Sequence, residues 1–252
     1  MVTRYFIFIS FKGTYFHGWQ IQPHSVTIQE ILDCSLSTII GEKISTTGAG
    51  RTDSGVHSKV FCAHFDSAEP DLDSKKGLIG RLNRYLPEDI AVNEIRKVTA
   101  DANARFSAIS RTYKYYISRA KDPFTTDLSW LVQGVLDIDA MNEAGRILMK
   151  HNDFTSFCRL HSNSMTNLCR ISEAVWKPEG SMLVLTIKAD RFLRNMVRAV
   201  VGTMLQAGTG KITLSDFESI ILAKDRCKAG KSAPARGLFL CGIEYPGNIF
   251  IQ

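Results

Sequence analysis

Gly48-Ala49-Gly50-Arg51-Thr52-Asp53-Ser54-Gly55-Val56-His57 is followed, after Ser58-Lys59, by the alternating run Val60-Phe61-Cys62-Ala63-His64-Phe65. A glycine-rich loop thus delivers a carboxylate to the mouth of a stretch with strand periodicity. The nearest other acids are Glu42 and Asp66, so Asp53 stands without a carboxylate partner in sequence. Gly48, Gly50 and Gly55 are expected to let the backbone take positive φ and approach a bulky ligand. Arg51, two residues upstream, would help keep Asp53 ionised and nucleophilic. The bland alternative is that Asp53 only bonds its own backbone in a turn.

Working outward, Tyr5 to Phe11 is β-rich and stops at Gly13. Thr27 and Glu30 form a capping-box pattern, and Ile28, Ile31, Leu32, Leu36, Ile39 and Ile40 keep helical spacing until Gly41. A helix from about Ser74 to Leu86 ends at Pro87, and Ala91 to Val98 reads as a strand. The second half repeats the order loosely. Thr112 to Ser118 is a strand, Asp139 caps a helix to about Lys150, and Ile171–Trp176 with Met182–Lys188 make a hairpin across Pro178-Glu179-Gly180. Arg191 to Gln206 reads as a helix closed by Gly208 and Gly210. A further helix runs from about Leu214 to Ala223, and Gly237 to Glu244 is a last strand. These elements predict an α+β fold: two strand-and-helix halves, 1–104 and 105–252, on a mixed, mostly antiparallel sheet.

The chain has 252 residues, 44% of them hydrophobic and 22% charged, which suits an ordinary soluble globular protein. A net charge of +6 favours polyanionic partners without specifying one. The six cysteines include no CxxC pair and no dense disulfide framework, as in a reducing, cytoplasmic setting. Cys158, His161 and Cys169 match no familiar zinc spacing, so no metal is expected. The N-terminal apolar residues alternate like a strand, unlike a signal peptide, and no apolar run approaches a membrane span. The loop around Asp53 lacks the Gly-Lys-Ser/Thr of a P-loop and the repeated acids of an EF-hand.

Seven ordered segments carry a resemblance. They are Phe16-His17-Gly18-Trp19-Gln20-Ile21-Gln22, Gly48 to His57, Arg105-Phe106-Ser107-Ala108, Arg111-Thr112-Tyr113-Lys114-Tyr115, Asp153-Phe154-Thr155-Ser156-Phe157, Phe192-Leu193-Arg194-Asn195-Met196-Val197-Arg198 and Ala233-Pro234-Ala235-Arg236-Gly237-Leu238. Nearly end to end, the sequence resembles the TruA-type family of tRNA pseudouridine synthases. The resemblance implies two similar halves around a central basic cleft. It implies isomerisation of uridine to pseudouridine at positions 38, 39 and 40 of the tRNA anticodon stem-loop, by a homodimer. In that reaction the C1′–N1 bond breaks, the base rotates and C1′ rejoins at C5. Nothing is added or removed, so no cofactor is expected.

The same resemblance assigns roles. Asp53 is the catalytic carboxylate, attacking C1′ or C6 or taking the 2′ proton; the sequence does not choose among these. Tyr113 offers a ring for stacking on the extruded uracil, although Tyr113 and Tyr115 share a strand face and spacing alone does not rank them. Arg198 pairs with Asp53, and on a helix it would fall at i+7 from Arg191 and i+4 from Arg194 in one basic stripe. Leu238 would be an apolar wall of the pocket, and Arg51 would fill the space left by the flipped nucleotide. His57 is read as a loop-positioning residue.

Phe11, Lys12, Tyr15, Phe16, His17 and Trp19 interleave aromatics with cations in the manner of an RNA-contacting surface. Lys188, Arg191, Arg194, Lys211, Lys224, Arg226, Lys228, Lys231 and Arg236 are expected to hold phosphates. Ser54, Ser58 and Arg194-Asn195 depart from the family's usual residues, and none of these changes removes a candidate catalytic group. Two rivals remain at this point: a non-catalytic RNA-binding protein on the same scaffold, and a glycosidase acting on a free nucleoside. The presence of Asp53, Tyr113 and Arg198 together speaks against the first, and the basic surface and missing second carboxylate against the other.

Overall fold

Nine strands and five α-helices occupy the described residues, 2–160 and 166–251, of a computed structural model. Almost all strand pairs are antiparallel, so the α+β class with a mixed, mostly antiparallel sheet arrangement is what the chain adopts. Packing divides the chain into two compact units, Met1–Ile109 with Leu240–Gln252, and Ser110–Phe239.

In the first unit β1 (Thr3–Phe11) lies between β3 (His57–Ser67) and β4 (Ile90–Val98), antiparallel to both. A central strand needs apolar residues on both faces, and β1 has them. Tyr5, Ile7, Ile9 and Phe11 are buried on one side, while Phe6 on the other meets Tyr245 and Phe250 edge-on. A short β2 (Thr47–Gly48) pairs with β3 through Thr47 opposite His64. Helix α1 (Ile28–Ile40) starts where the Thr27 hydroxyl accepts from Glu30 N and stops at Gly41, φ 89°. Helix α2 (Leu78–Tyr85) is shorter than its sequence implied, because residues 68–77 are mostly turns and Gly77 enters it at φ 76°.

The C-terminal segment completes this unit. Thr99 N donates to Ile249 O at 2.9 Å and Ile251 N to Lys97 O at 3.1 Å, while the Arg96 guanidinium lies 3.8 Å over the Phe250 ring.

In the second unit β5 (Ser110–Ser118), β8 (Met182–Ala189) and β7 (Ile171–Glu179) form an antiparallel series, and β6 (Trp130–Leu131) joins β5 in parallel. Pro178 sits inside β7, opposite Leu183; β7 is an edge strand, where a missing N–H is tolerated. Helix α3 (Ile138–Met149) is capped by Asp137 and not Asp139: the Asp137 carboxylate accepts from Ala140 N at 2.8 Å. It packs on β7 so closely that a Cβ on Gly145 would lie 2.2 Å from Ala174 O. Helices α4 (Met196–Gly208) and α5 (Leu214–Leu222) follow, the latter with a Thr213/Asp216 capping box; β9 (Leu238–Glu244) comes last in chain order, its residues from Leu240 onward belonging to the first unit.

The start of α4 corrects the sequence reading. Asn195 has φ 65°, so the chain is left-handed there and the helix cannot begin before Met196. Arg191 and Arg194 therefore precede the helix and do not share a stripe with Arg198.

Candidate active site

The Asp53 loop is held by the first unit's own backbone. Val56 N donates to Asp53 O at 3.1 Å, closing a turn whose third residue, Gly55, has φ 76°, as a type II turn requires. From the other side Gly55 N and the Ser54 hydroxyl both donate to Phe16 O, at 3.3 and 3.2 Å. Gly18 lies so close that an added Cβ would be 2.3 Å from Thr52 O. Asp53 is half-buried in this frame, Thr52 is buried and Arg51 is exposed.

The glycines do less for a ligand than their pattern implied. Of the three in the loop only Gly55 takes positive φ. Gly48 is small because Trp19 is there: a Cβ would stand 2.5 Å from the indole nitrogen. Trp19 itself is buried on Phe61, ring centroids 4.2 Å apart. Phe11 and Phe16 are buried as well, which leaves Tyr15 and His17 as the exposed rings of that segment. The aromatic run is mostly core, contrary to its reading as an RNA-facing cluster. His57 is buried, and its Nδ1 accepts from Gly13 N at 3.0 Å, tying the 13–16 segment to the loop's exit.

Tyr113, Arg198 and Leu238 all belong to the second unit. Tyr113 is half-buried on β5 and meets Phe192 edge-on at 5.1 Å. Arg198, on the first turn of α4, donates through Nε to Ala233 O at 2.7 Å, and Ala233 N donates to Arg198 O at 2.9 Å. Two residues along β5 from Tyr113, Tyr115 is fully buried and its hydroxyl donates to Pro234 O at 2.8 Å. Burial pushes that phenol above its ordinary range, and the charges of Arg198 and Arg236 oppose the shift. The structure thus separates two tyrosines that spacing left equal: Tyr115 is a strut, and Tyr113 keeps part of its surface in solvent.

Gly237 packs against the strut, since a Cβ there would be 2.7 Å from the Tyr115 ring, and Leu238 beside it is buried.

The segment leading to Leu238 is bound to α4 by residues that sequence reasoning passed over. A Cβ on Gly202 would sit 1.8 Å from Lys231 O. The Thr203 hydroxyl accepts from Gly230 N at 2.9 Å, and Asn195 Nδ2 donates to Ser232 Oγ at 2.6 Å. A glycine inside a helical pattern was the available signal, because it costs about 1 kcal/mol there unless packing requires it.

The basic set also divides. Arg194, Lys211, Lys228, Lys231 and Arg236 are exposed. Arg226 instead serves the loop, donating to Ala229 O, Gly230 O and Ser232 Oγ, and Lys224 pairs with Asp153 at 2.9 Å.

Among the described residues no group of three His, Cys, Asp or Glu is placed to hold a metal; His161 lies outside them. Cys158 and Cys169 are buried, and burial pushes the Cys169 thiol up to about 12. No helix among the described residues is long and apolar enough to cross a membrane.

Comparison with known proteins agrees along the whole length. The family model described as tRNA pseudouridine synthase matches residues 7–107 and 148–246. A tRNA pseudouridine synthase A of Bacteroides thetaiotaomicron is 52% identical over 252 residues, covering 99% of this chain and 93% of that protein. The protein of that name from Parabacteroides distasonis is 49% identical, covering 98% of each chain, and one from Bacillus licheniformis 39%, covering 94% and 97%. The two matched stretches include the Asp53 loop and the Arg198–Leu238 assembly, and on this footing the chain belongs to the tRNA pseudouridine synthase family.

Proposed function

We propose that Asp53 is the nucleophile with which this chain converts uridine to pseudouridine at positions 38, 39 and 40 of the tRNA anticodon stem-loop. The chain is a tRNA-modifying isomerase, and the proposal concerns which residues act and where on the RNA. The observation that carries it is the double fastening of the Asp53 turn, by Val56 N within the loop and by the Phe16 carbonyl outside it. A carboxylate that must meet one atom of a flipped nucleotide gains from a backbone that does not move.

In this reading Arg198 forms a charge-assisted pair with Asp53, its guanidinium aimed by the Ala233 carbonyl. Tyr113 stacks on the uracil, steadied by Phe192. Leu238 supplies an apolar wall, and exposed Arg51 occupies the gap the nucleotide leaves. The protein works in the cytoplasm as a homodimer, with the two halves 1–104 and 105–252 contributing Asp53 and the Tyr113–Arg198 pair respectively.

The test is Asp53→Asn and Asp53→Ala assayed on unmodified tRNA, with pseudouridine mapped by position. Both variants are expected to bind tRNA within a few-fold of wild type and to form no pseudouridine. Wild-type turnover by Asp53→Ala would remove the nucleophile assignment, and product outside the anticodon arm would remove the site assignment. Light scattering with and without tRNA checks the dimer.

A further inference from the structure

Phe106 is 78% exposed, although the turn that carries it is held by a set of hydrogen bonds. Asn103 organises the turn. Its Oδ1 accepts from both Arg105 N and Phe106 N, at 2.9 and 3.1 Å. Its carbonyl accepts from Ser107 N at 2.9 Å, and its own N–H donates back to Ser107 Oγ at 3.0 Å. Ala104 is fastened on both sides: its N–H donates to His64 Nδ1 at 3.1 Å and its carbonyl accepts from the Tyr245 hydroxyl at 2.6 Å. The Arg105 guanidinium carbon stands 5.3 Å from the Phe106 ring centroid.

So rigid a mount for an exposed ring contributes little to the fold, because most of the ring's apolar surface remains in water. It suits binding, since an aromatic side chain on a backbone already held in place leaves only its own two torsions to be ordered when a flat partner covers it. The mount shares its footing with the Asp53 loop. His64, which holds Ala104, is the register partner of Thr47 just before that loop, and Ala49 and Ala104 belong to one core cluster.

We propose that Phe106, with the Arg105 guanidinium beside it, is a stacking platform for an unpaired nucleobase of the tRNA substrate. An aromatic face takes any base, and a neighbouring guanidinium can cover a base edge or meet a phosphate. A phenyl ring has no donor or acceptor with which to read base identity, so the platform positions a loop nucleotide and does not select it. The proposal rests on the reading above that the substrate region is a stem-loop.

The experiment uses the full chain and anticodon stem-loop RNAs carrying 2-aminopurine at each unpaired position in turn. With wild type, one position should show a fluorescence change on binding beyond that of the others. Phe106→Ala should abolish that change and raise KM about 10-fold with kcat within two-fold, while Phe106→Trp restores both and Phe106→Leu does not. Melting temperatures of the three variants should match wild type, separating a binding role from a folding one.

Unchanged KM in Phe106→Ala would overturn the proposal. So would an equal affinity loss of that variant for a fully paired RNA, since no loop base would then be involved. Wild type making no pseudouridine in the stem-loop would instead overturn the substrate reading, a distinct result.

Discussion

Arg198 and Ala233 hold each other at two points: the arginine's Nε reaches the alanine's carbonyl at 2.7 Å, and the alanine's N–H reaches the arginine's carbonyl at 2.9 Å. One bond fixes where the guanidinium points and the other fixes the strand of chain that does the pointing. Arg198→Ala should therefore lower single-turnover rate by at least 100-fold while tRNA affinity falls less than about five-fold. Arg198→Lys should recover little, because an ammonium cannot bond Ala233 and present a planar fork at once. Rapid-quench kinetics on saturated enzyme check this; a large affinity loss with normal turnover of bound RNA would refute the pairing role.

Two helical glycines should respond to alanine with opposite sign. Gly80 is exposed on α2 and an added Cβ would have nothing within 4 Å, so Gly80→Ala should stabilise by about 0.5–1 kcal/mol through helix propensity. Gly202→Ala enjoys the same propensity but drives its methyl into the Lys231 carbonyl, and should destabilise by about 1–3 kcal/mol or more. Urea unfolding of both variants measures the difference. Because Gly202 holds the segment that carries Ala233, its variant should also lose activity, whereas Gly80→Ala should not.

His64 gives the first unit a pH dependence. Its pKa is held below the ordinary 6.5 by burial first and then by the Arg4 charge, with Asp66 opposing. The neutral ring is the form that accepts from Ala104 N. A histidine depressed in the folded state contributes its full stability above the unfolded value, and loses it as pH falls from about 6.5 toward the folded value. His64→Asn, which keeps an acceptor and cannot protonate, should flatten that part of the stability–pH curve between pH 7 and 5. Parallel curves for the two proteins would show that His64 does not set the slope.

Salt should separate two kinds of arginine. Affinity for tRNA should fall log-linearly with salt, and Arg194→Ala should reduce the slope by about 1 if this exposed guanidinium is one of the phosphate contacts. Arg226→Ala should leave the slope unchanged and lower stability instead, since Arg226 bonds Ala229, Gly230 and Ser232. Filter binding between 50 and 200 mM salt measures both.

Much of the fold was legible because its signals are local. Thr27 and Gly41 bracket α1 through interactions within one turn of each end, and the apolar run of Tyr5 to Phe11 carries its own strand signal. What was not legible depended on partners distant in sequence. Trp19 and Phe16 alternate with His17 like surface residues, and only Phe61, some forty residues on, makes Trp19 core. Helical spacing ran from Arg191 through Arg198 without a break, yet Asn195 turns left-handed, its side chain bonded to Ser232. Within the site, Asp53 was readable as a loop carboxylate, but that Gly48 makes room for Trp19 was not. Tyr113 and Tyr115 could not be told apart until Pro234 was seen to take the hydroxyl of Tyr115.

The return of residues 240–252 to the first unit has a consequence for synthesis. A nascent chain emerging from the ribosome would have the whole of 110–239 available before the strands around β1 receive Tyr245, Ile249 and Phe250. The stretch translated later can settle first, and the earlier one must wait with Phe6 and Phe8 uncovered. A fragment ending near residue 109 should accordingly be captured by chaperones or aggregate.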